Sequence, residues 1–264
     1  MAEYTNLVLE IRNHVGHLTF NRPQAANGID LALARDFSDA IRRCQEDPSV
    51  RALLLSGNGK MFCAGGDLKA FAAQPASDLP SYLREVTHFL HGAISTFAHM
   101  SSPVIAAVHG SAAGAGFSLA CACDFVFAAE SAKFTLAYSR AGLTPDGSAT
   151  YFLPRIVGFR RALELAIINP VLTAEEARSL AIVTRVVPDS QLLDQARAFA
   201  EQLATGPTLA FGGVKRLLLD SVANKLETQM ALETDWITQM ARTRDGREGI
   251  EAFVGKRTPQ FKAE

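Results

Sequence analysis

The chain has 264 residues, 48% hydrophobic and 20% charged, which suits one large globular domain or a core with an appendage. A formal net charge of −1 offers no global field for nucleic acid or an anionic membrane. The longest apolar runs, such as residues 104–108 and 125–129, are too short to cross a bilayer, and residues 1–6 lack the basic and apolar segments of a signal peptide. A cytoplasmic protein is expected.

In chain order, residues 7–11 and 17–21 alternate apolar and polar side chains around Val15-Gly16, which predicts a hairpin turning there. Arg22-Pro23 opens a loop. From Asp30, a plausible N-cap, the spacing of Leu31, Leu33, Phe37, Ala40 and Ile41 predicts a helix that Asp47-Pro48 stops. A strand over 52–56 follows, then a small-residue turn, then a long helix from Leu79 to about Met100. Pro103 precedes the wholly apolar run 104–108, the pattern of a strand buried on both faces. After a second glycine turn, 117–123 reads as a buried helix and 124–128 as a strand. This alternation predicts an α/β fold with a mainly parallel sheet.

Beyond about Thr173 the strand signals thin out. Thr173-Ala-Glu-Glu176 has the form of a capping box, and amphipathic helices are expected over 192–203, 210–219 and 222–242. These place a boundary near residue 200, giving a core over 1–200 and a helical region over 201–264, with Thr205-Gly206-Pro207 as the hinge. Cys44, Cys63, Cys121 and Cys123 form no C-x-x-C pair, so reduced thiols are expected. His88 and His91 share a helix face without a partner pair at ligand spacing, so no metal site is expected.

The most informative feature is a pair of turns. Met61-Phe-Cys-Ala-Gly-Gly-Asp67 and His109-Gly-Ser-Ala-Ala-Gly-Ala-Gly116 each follow an apolar strand and lead into a helical pattern. Two such turns can aim two free backbone N–H groups at one point, as a developing enolate oxygen requires. They resemble the paired segments of the crotonase (enoyl-CoA hydratase/isomerase) superfamily, and within it the isomerases acting on 1,2-epoxyphenylacetyl-CoA and enoyl-CoA. Asn21-Arg22-Pro23, Ala132-Lys133-Phe134, Gly142-Leu143-Thr144-Pro145, Leu153-Pro154-Arg155 and the run from Lys256 to Phe261 fit the same order.

The resemblance implies a spiral of repeated ββα units with a C-terminal helical trimerisation region, assembling as homotrimers or hexamers through Leu217, Leu218, Val222, Leu226, Met230 and Ile237. It implies an acyl-CoA thioester substrate and no cofactor beyond its CoA moiety. It places the oxyanion donors at Gly66 and Ala115. Gln24, Ala25, Ala64, Gly66, Asp67, Leu68 and Lys69 become the candidate CoA contacts, with the basic tail (Lys256, Arg257, Lys262) a further candidate for the phosphates. Phe71, Phe89, Phe117 and Tyr138 are the expected acyl-pocket walls.

The carboxylates decide the reaction. Hydratases of the family carry two glutamates, at positions that here hold Ser118 and Tyr138, and those side chains cannot form the base pair that activates water. The position used by some family isomerases holds Asp146, and one carboxylate in an apolar pocket suffices for a 1,3-proton shift. An isomerase is therefore expected. Hydratase chemistry, or an Asp146/His91 pair attacking and then hydrolysing an arene as in aromatic acyl-CoA dehalogenases, is the alternative within enzymes. A catalytically silent CoA- or RNA-binding relative is the alternative outside them, although helix 31–46 mixes Arg35, Arg42 and Arg43 with Asp36, Asp39 and Glu46 rather than forming a basic comb.

Overall fold

A computed structural model describes residues 4–264. The chain starts with strands β1 (Leu7–Arg12) and β2 (Val15–Phe20), paired antiparallel with Leu7 opposite Phe20 and Arg12 opposite Val15. The hairpin turns at Asn13-His14, not at the expected Val15-Gly16. Both Asn13 and His14 have positive φ (50° and 62°), the turn whose twist matches that of the flanking strands. Gly16 is instead inside β2, where its bare Cα lets Leu53 and Cys44 pack close.

Helix α1 (Leu31–Glu46) begins where Asp30 accepts the Leu33 N–H at 2.8 Å, a cap contributing about 1 kcal/mol. It is followed by β3 (Ala52–Gly57), the short α2 (Leu68–Ala72) and the long α3 (Leu79–His99), which packs along α1. Then come β4 (Val104–Val108), β5 (Ser111–Ala113), α4 (Ala115–Ala122), β6 (Phe125–Ala129) and β7 (Lys133–Thr135). Helices α5 (Ala149–Val157) and α6 (Phe159–Ile168) lead to β8 (Leu172–Thr173), α7 (Ala174–Ser179) and β9 (Arg185–Val187). At the start of α7 the expected capping box is complete, with Thr173 and Glu176 bonding each other's backbone N–H.

Two sheets result. Six strands run in the order β1-β2-β3-β4-β6-β9, parallel throughout except for β1. Three short strands, β5-β7-β8, make the second sheet, with β5 and β7 parallel. Each small-residue turn therefore links a strand of the large sheet to the edge of the small one, which is the spiral of strand–strand–helix units anticipated from the sequence. Every residue of β4 is buried, as its unbroken apolar run requires. Helix α8 (Leu192–Ala204) lies across β2, β3, β4 and β6.

Helices α9 (Thr208–Ser221), α10 (Leu226–Arg242) and α11 (Arg244–Val254) complete the chain. The expected helix over 222–242 starts four residues late, because Lys225 is extended (ψ 158°) and breaks the run after α9. The Thr205-Gly206-Pro207 link is tied to the core by the buried Arg51, which donates to Gly206 O at 2.7 Å and Thr208 Oγ1 at 3.2 Å. Arg51 also reaches Phe261 O at 3.0 Å. The tail folds back on α11, where Glu248 takes Arg257 in a fork (2.5 and 2.8 Å) and Asp245 accepts the Lys262 and Ala263 N–H groups. Arg257 is thus already engaged by a carboxylate.

The surface arginines of α1 are paired in the same way. Arg35 meets Glu85, Arg42 meets Asp39 and Glu46, and Arg43 meets Asp39. All four cysteines are free thiols, and burial pushes Cys44, Cys63 and Cys121 up to about 12, which makes them inert. Among the described residues no helix is long and apolar enough to cross a membrane.

Candidate active site

The two glycine turns meet. Gly65 has a φ of +99°, and a Cβ there would stand 2.9 Å from Ala113 O and 3.2 Å from Ala115 N, so the backbones approach more closely than any side chain allows. The bridges Ile29–Gly66 and Cys63–Ala112 fix the first turn between the loop before α1 and the start of β5.

The orientation of the two candidate donors follows from what their own peptides do. The Gly65 carbonyl accepts the Ile29 N–H at 2.7 Å. In a trans peptide, the N–H of Gly66 must then point the opposite way. The Gly114 carbonyl accepts the Ser118 N–H at 3.0 Å, which turns the N–H of Ala115 outward from the start of α4. Ala115 is the first residue of that helix, so its N–H lacks an intrahelical acceptor. Among the described residues neither N–H has a protein acceptor. Gly66 and Ala115 line one cavity of about 250 Å³, and the partial positive charge of the α4 N-terminus adds to the pull on an anion there.

Asp146 lines the same cavity and, among the described residues, is the only carboxylate that does. It sits in the Pro145-Asp146-Gly147 turn before α5. Gly147 has a φ of +58°, and a Cβ there would come within 3.0 Å of Ser118 Cβ, so the turn can press onto α4 only with glycine. His91, on α3, holds the turn from behind, its Nε2 accepting the Gly147 N–H at 3.1 Å. That bond requires an unprotonated Nε2.

Tyr138 donates to Asp146 Oδ1 at 2.5 Å, and Ser118 Oγ lies 2.9 Å from the Tyr138 hydroxyl. Burial, then the adjacent Asp146 charge, pushes the Tyr138 phenol well above its ordinary value, so it remains a donor. Asp146 Oδ2 has no protein partner among the described residues. Apart from Thr87 and Thr144 the rest of the wall is apolar, with Leu68 and Phe71 of α2 and Val86 and Leu90 of α3.

Of the expected CoA contacts, Ala64, Gly66 and Leu68 line the cavity, and Leu68 is 54% exposed at its rim. Gln24 and Ala25 form a 3-10 turn beside it, held by the Ala64 N–H to Ala26 O bond at 3.0 Å. Lys69 is exposed on α2 and outside the cavity lining. Asp67 is also outside it. Its Oδ1 caps α2 through the Ala70 N–H (3.1 Å), and its Oδ2 pairs with Arg22 (3.1 Å). Two of the expected acyl walls, Phe71 and Tyr138, are in place. Phe117 is instead fully buried edge-on against Phe134, and Phe89 packs under Arg35. Neither lines the cavity.

Arg22 does more than open a loop. Its guanidinium bridges Asp30 (2.8 Å) and Asp67 (3.1 Å) and donates to Gly28 O, which clamps the first glycine turn to the start of α1. Nothing in a lone Arg-Pro dipeptide signals this. Arg22→Ala leaves two mostly buried carboxylates facing one another and should cost roughly 3 kcal/mol of unfolding free energy in a denaturant titration.

With this geometry in hand, the comparisons with known proteins are decisive. Residues 10–264 match the family described as Enoyl-CoA hydratase/isomerase. The chain belongs to the enoyl-CoA hydratase/isomerase family. It is 38% identical over 255 residues to the 1,2-epoxyphenylacetyl-CoA isomerase of Escherichia coli (strain K12), with 97% of each chain covered. It is also 38% identical over 258 residues to a probable enoyl-CoA hydratase of Rhodobacter capsulatus, with 98% of each covered. A crystal structure of an enoyl-CoA hydratase from Polaromonas sp. JS666 superposes with a TM-score of 0.91 at 34% identity, covering 97% of this chain and 99% of that one. The fold is therefore the crotonase fold, and the protein is an enzyme of a family that acts on CoA thioesters.

Proposed function

We propose that this enzyme is an acyl-CoA isomerase that moves a double bond by a 1,3-proton shift through a bound dienolate. Asp146 Oδ2 takes a proton from one carbon of the acyl chain. The electron pair passes into the conjugated system, and the thioester oxygen becomes the anion held by the Gly66 and Ala115 N–H groups. The same Oδ2–H then returns the proton two carbons away and the thioester carbonyl re-forms. Atoms and oxidation state balance, so the reaction calls for nothing beyond the CoA moiety of the substrate.

One observation carries this reading: among the described residues, Asp146 is the only carboxylate lining the cavity that Gly66 and Ala115, with their free N–H groups, also line. Addition of water by a carboxylate pair needs a second such group, and Ser118 and Tyr138 supply only hydroxyls. The aspartate–histidine alternative is disfavoured by the occupied Nε2 of His91. The RNA-binding alternative is disfavoured by the internally paired arginines of α1. CoA itself is assigned to the rim formed by Gln24, Ala25, Ala64, Leu68 and Lys69. The test is a panel of CoA thioesters. A 3-enoyl thioester should be converted to its 2-enoyl isomer, and rapid hydration of crotonyl-CoA would count against the assignment.

The same proposal includes assembly as trimers or hexamers in the cytoplasm. Leu218 on α9, Val222 just after it, and Leu226 and Ile237 on α10 are 60 to 70% exposed in the single chain. Covering such side chains is worth about 25 cal/mol per Å². Light scattering at micromolar concentration should give a trimer or a multiple of it, and a monomer would contradict this part of the proposal.

A further inference from the structure

Asp146 is not fixed by its own turn alone. Its Oδ1 accepts from Tyr138 at 2.5 Å, and Tyr138 in turn lies 2.9 Å from Ser118 Oγ. The tyrosine has one proton and gives it to the carboxylate. The Ser118–Tyr138 contact is then a hydrogen bond only if Ser118 donates. Ser118 is fully buried, one turn along α4 from Gly114, whose carbonyl accepts its N–H at 3.0 Å, while its single hydroxyl proton goes to Tyr138. That carbonyl and the Ala115 N–H belong to one peptide group. A continuous chain of contacts thus runs from the base to the oxyanion donor.

The geometry assigns Tyr138, backed by Ser118, as a positioning pair that holds Asp146 in register with the Ala115 N–H. Oδ1 is engaged by the phenol, so Oδ2 alone faces the substrate and both receives and returns the proton. Tyr138 keeps its own proton throughout. A single face of a single oxygen then serves both carbons, which is what a proton shift within one bound molecule needs. Because a misplacement of about 1 Å in such an arrangement costs on the order of 10²-fold in rate, the pair acts on turnover rather than on binding. This inference rests on the isomerase reading.

Steady-state kinetics on a 3-enoyl-CoA thioester test it with Tyr138→Phe, Ser118→Ala and the double variant. Tyr138→Phe should lower kcat by about 10-fold or more while KM stays within about two-fold, since the donors and the cavity rim are untouched. Ser118→Ala should lower kcat by less, again at constant KM. The double variant should be no slower than Tyr138→Phe, because the two residues form one unit. Unchanged kcat in Tyr138→Phe, or losses that multiply in the double variant, would overturn the assignment. If Tyr138→Phe does not fold, as judged by circular dichroism, Ser118→Ala decides: a lower kcat at constant KM supports the pair, and an unchanged kcat overturns it. Asp146→Asn separates this inference from the reading beneath it. An inactive Asp146→Asn beside a fully active Tyr138→Phe removes only the positioning pair, whereas an active Asp146→Asn removes the isomerase reading itself.

Discussion

Asp146→Asn is expected to slow double-bond migration by about 10²-fold or more, the usual contribution of a positioned general base. The substitution is close to isosteric. The amide oxygen still accepts the Tyr138 hydroxyl that lies 2.5 Å from Oδ1, and the His91 bond to Gly147 does not involve the side chain. What disappears is the oxygen able to take a proton. Affinity for a CoA thioester should therefore change little, because the Gly66 and Ala115 N–H groups and the rim at Ala64 and Leu68 remain. A fall in kcat at nearly constant Kd, measured by single-turnover kinetics and calorimetry, is the expected pattern. A fall confined to Kd would place Asp146 in binding rather than in chemistry.

A comparable loss is expected from Ala115→Pro, at a position where the fold tolerates it. Ala115 is the first residue of α4, where no intrahelical hydrogen bond is made and proline's fixed φ suits the backbone. The helix should persist in circular dichroism, while one of the two oxyanion donors is deleted. Removing such a donor raises the barrier by about 3 kcal/mol, or roughly 10²-fold in kcat. The loss should appear with every acyl chain tested, since the thioester oxygen is common to all of them. A variant that keeps its helix and its full kcat would show that the Ala115 N–H does not meet the substrate.

Much of this site is legible in the sequence because the proposed oxyanion donors are backbone groups. Small residues are the only ones that let two turns touch, so Ala64-Gly65-Gly66 and Gly114-Ala115-Gly116 mark the donors without any side-chain chemistry. Asp146 is legible through the turn that carries it. The strands over 52–57 and 104–108 and the N-cap at Asp30 are equally plain, since burial on both faces and capping each leave a local pattern.

What the sequence hides is non-local. Arg22 finds Asp67 across 45 positions and Tyr138 finds Ser118 across 20, and neither pairing leaves a trace in spacing. Phe89 and Phe117 were misplaced as cavity walls because a helix face cannot be assigned until its neighbours are known. The hairpin turn was misplaced because Asn13-His14 lacks the glycine that usually announces two residues at positive φ. Helix α11 falls inside the expected helical region over 201–264, but Gly246 and Gly249 lower its intrinsic propensity, and its start is set by Thr243, which caps it through the Gly246 N–H at 2.9 Å. The tail pressed on it by Glu248 and Asp245 supplies the contacts its own propensity lacks.

The central claim is that one carboxylate moves one proton beneath an oxyanion hole. The most direct measurement is mass spectrometry and proton NMR of the product formed from a 3-enoyl-CoA thioester in deuterium oxide, with wild type and Asp146→Asn compared. The account predicts that wild type yields the 2-enoyl isomer without addition of water, with solvent deuterium at the α or γ carbon to the extent that the protonated Asp146 exchanges with solvent before it returns its proton, and that Asp146→Asn yields neither. Deuterium exchange that persists in Asp146→Asn, or a hydrated product from wild type, would contradict it.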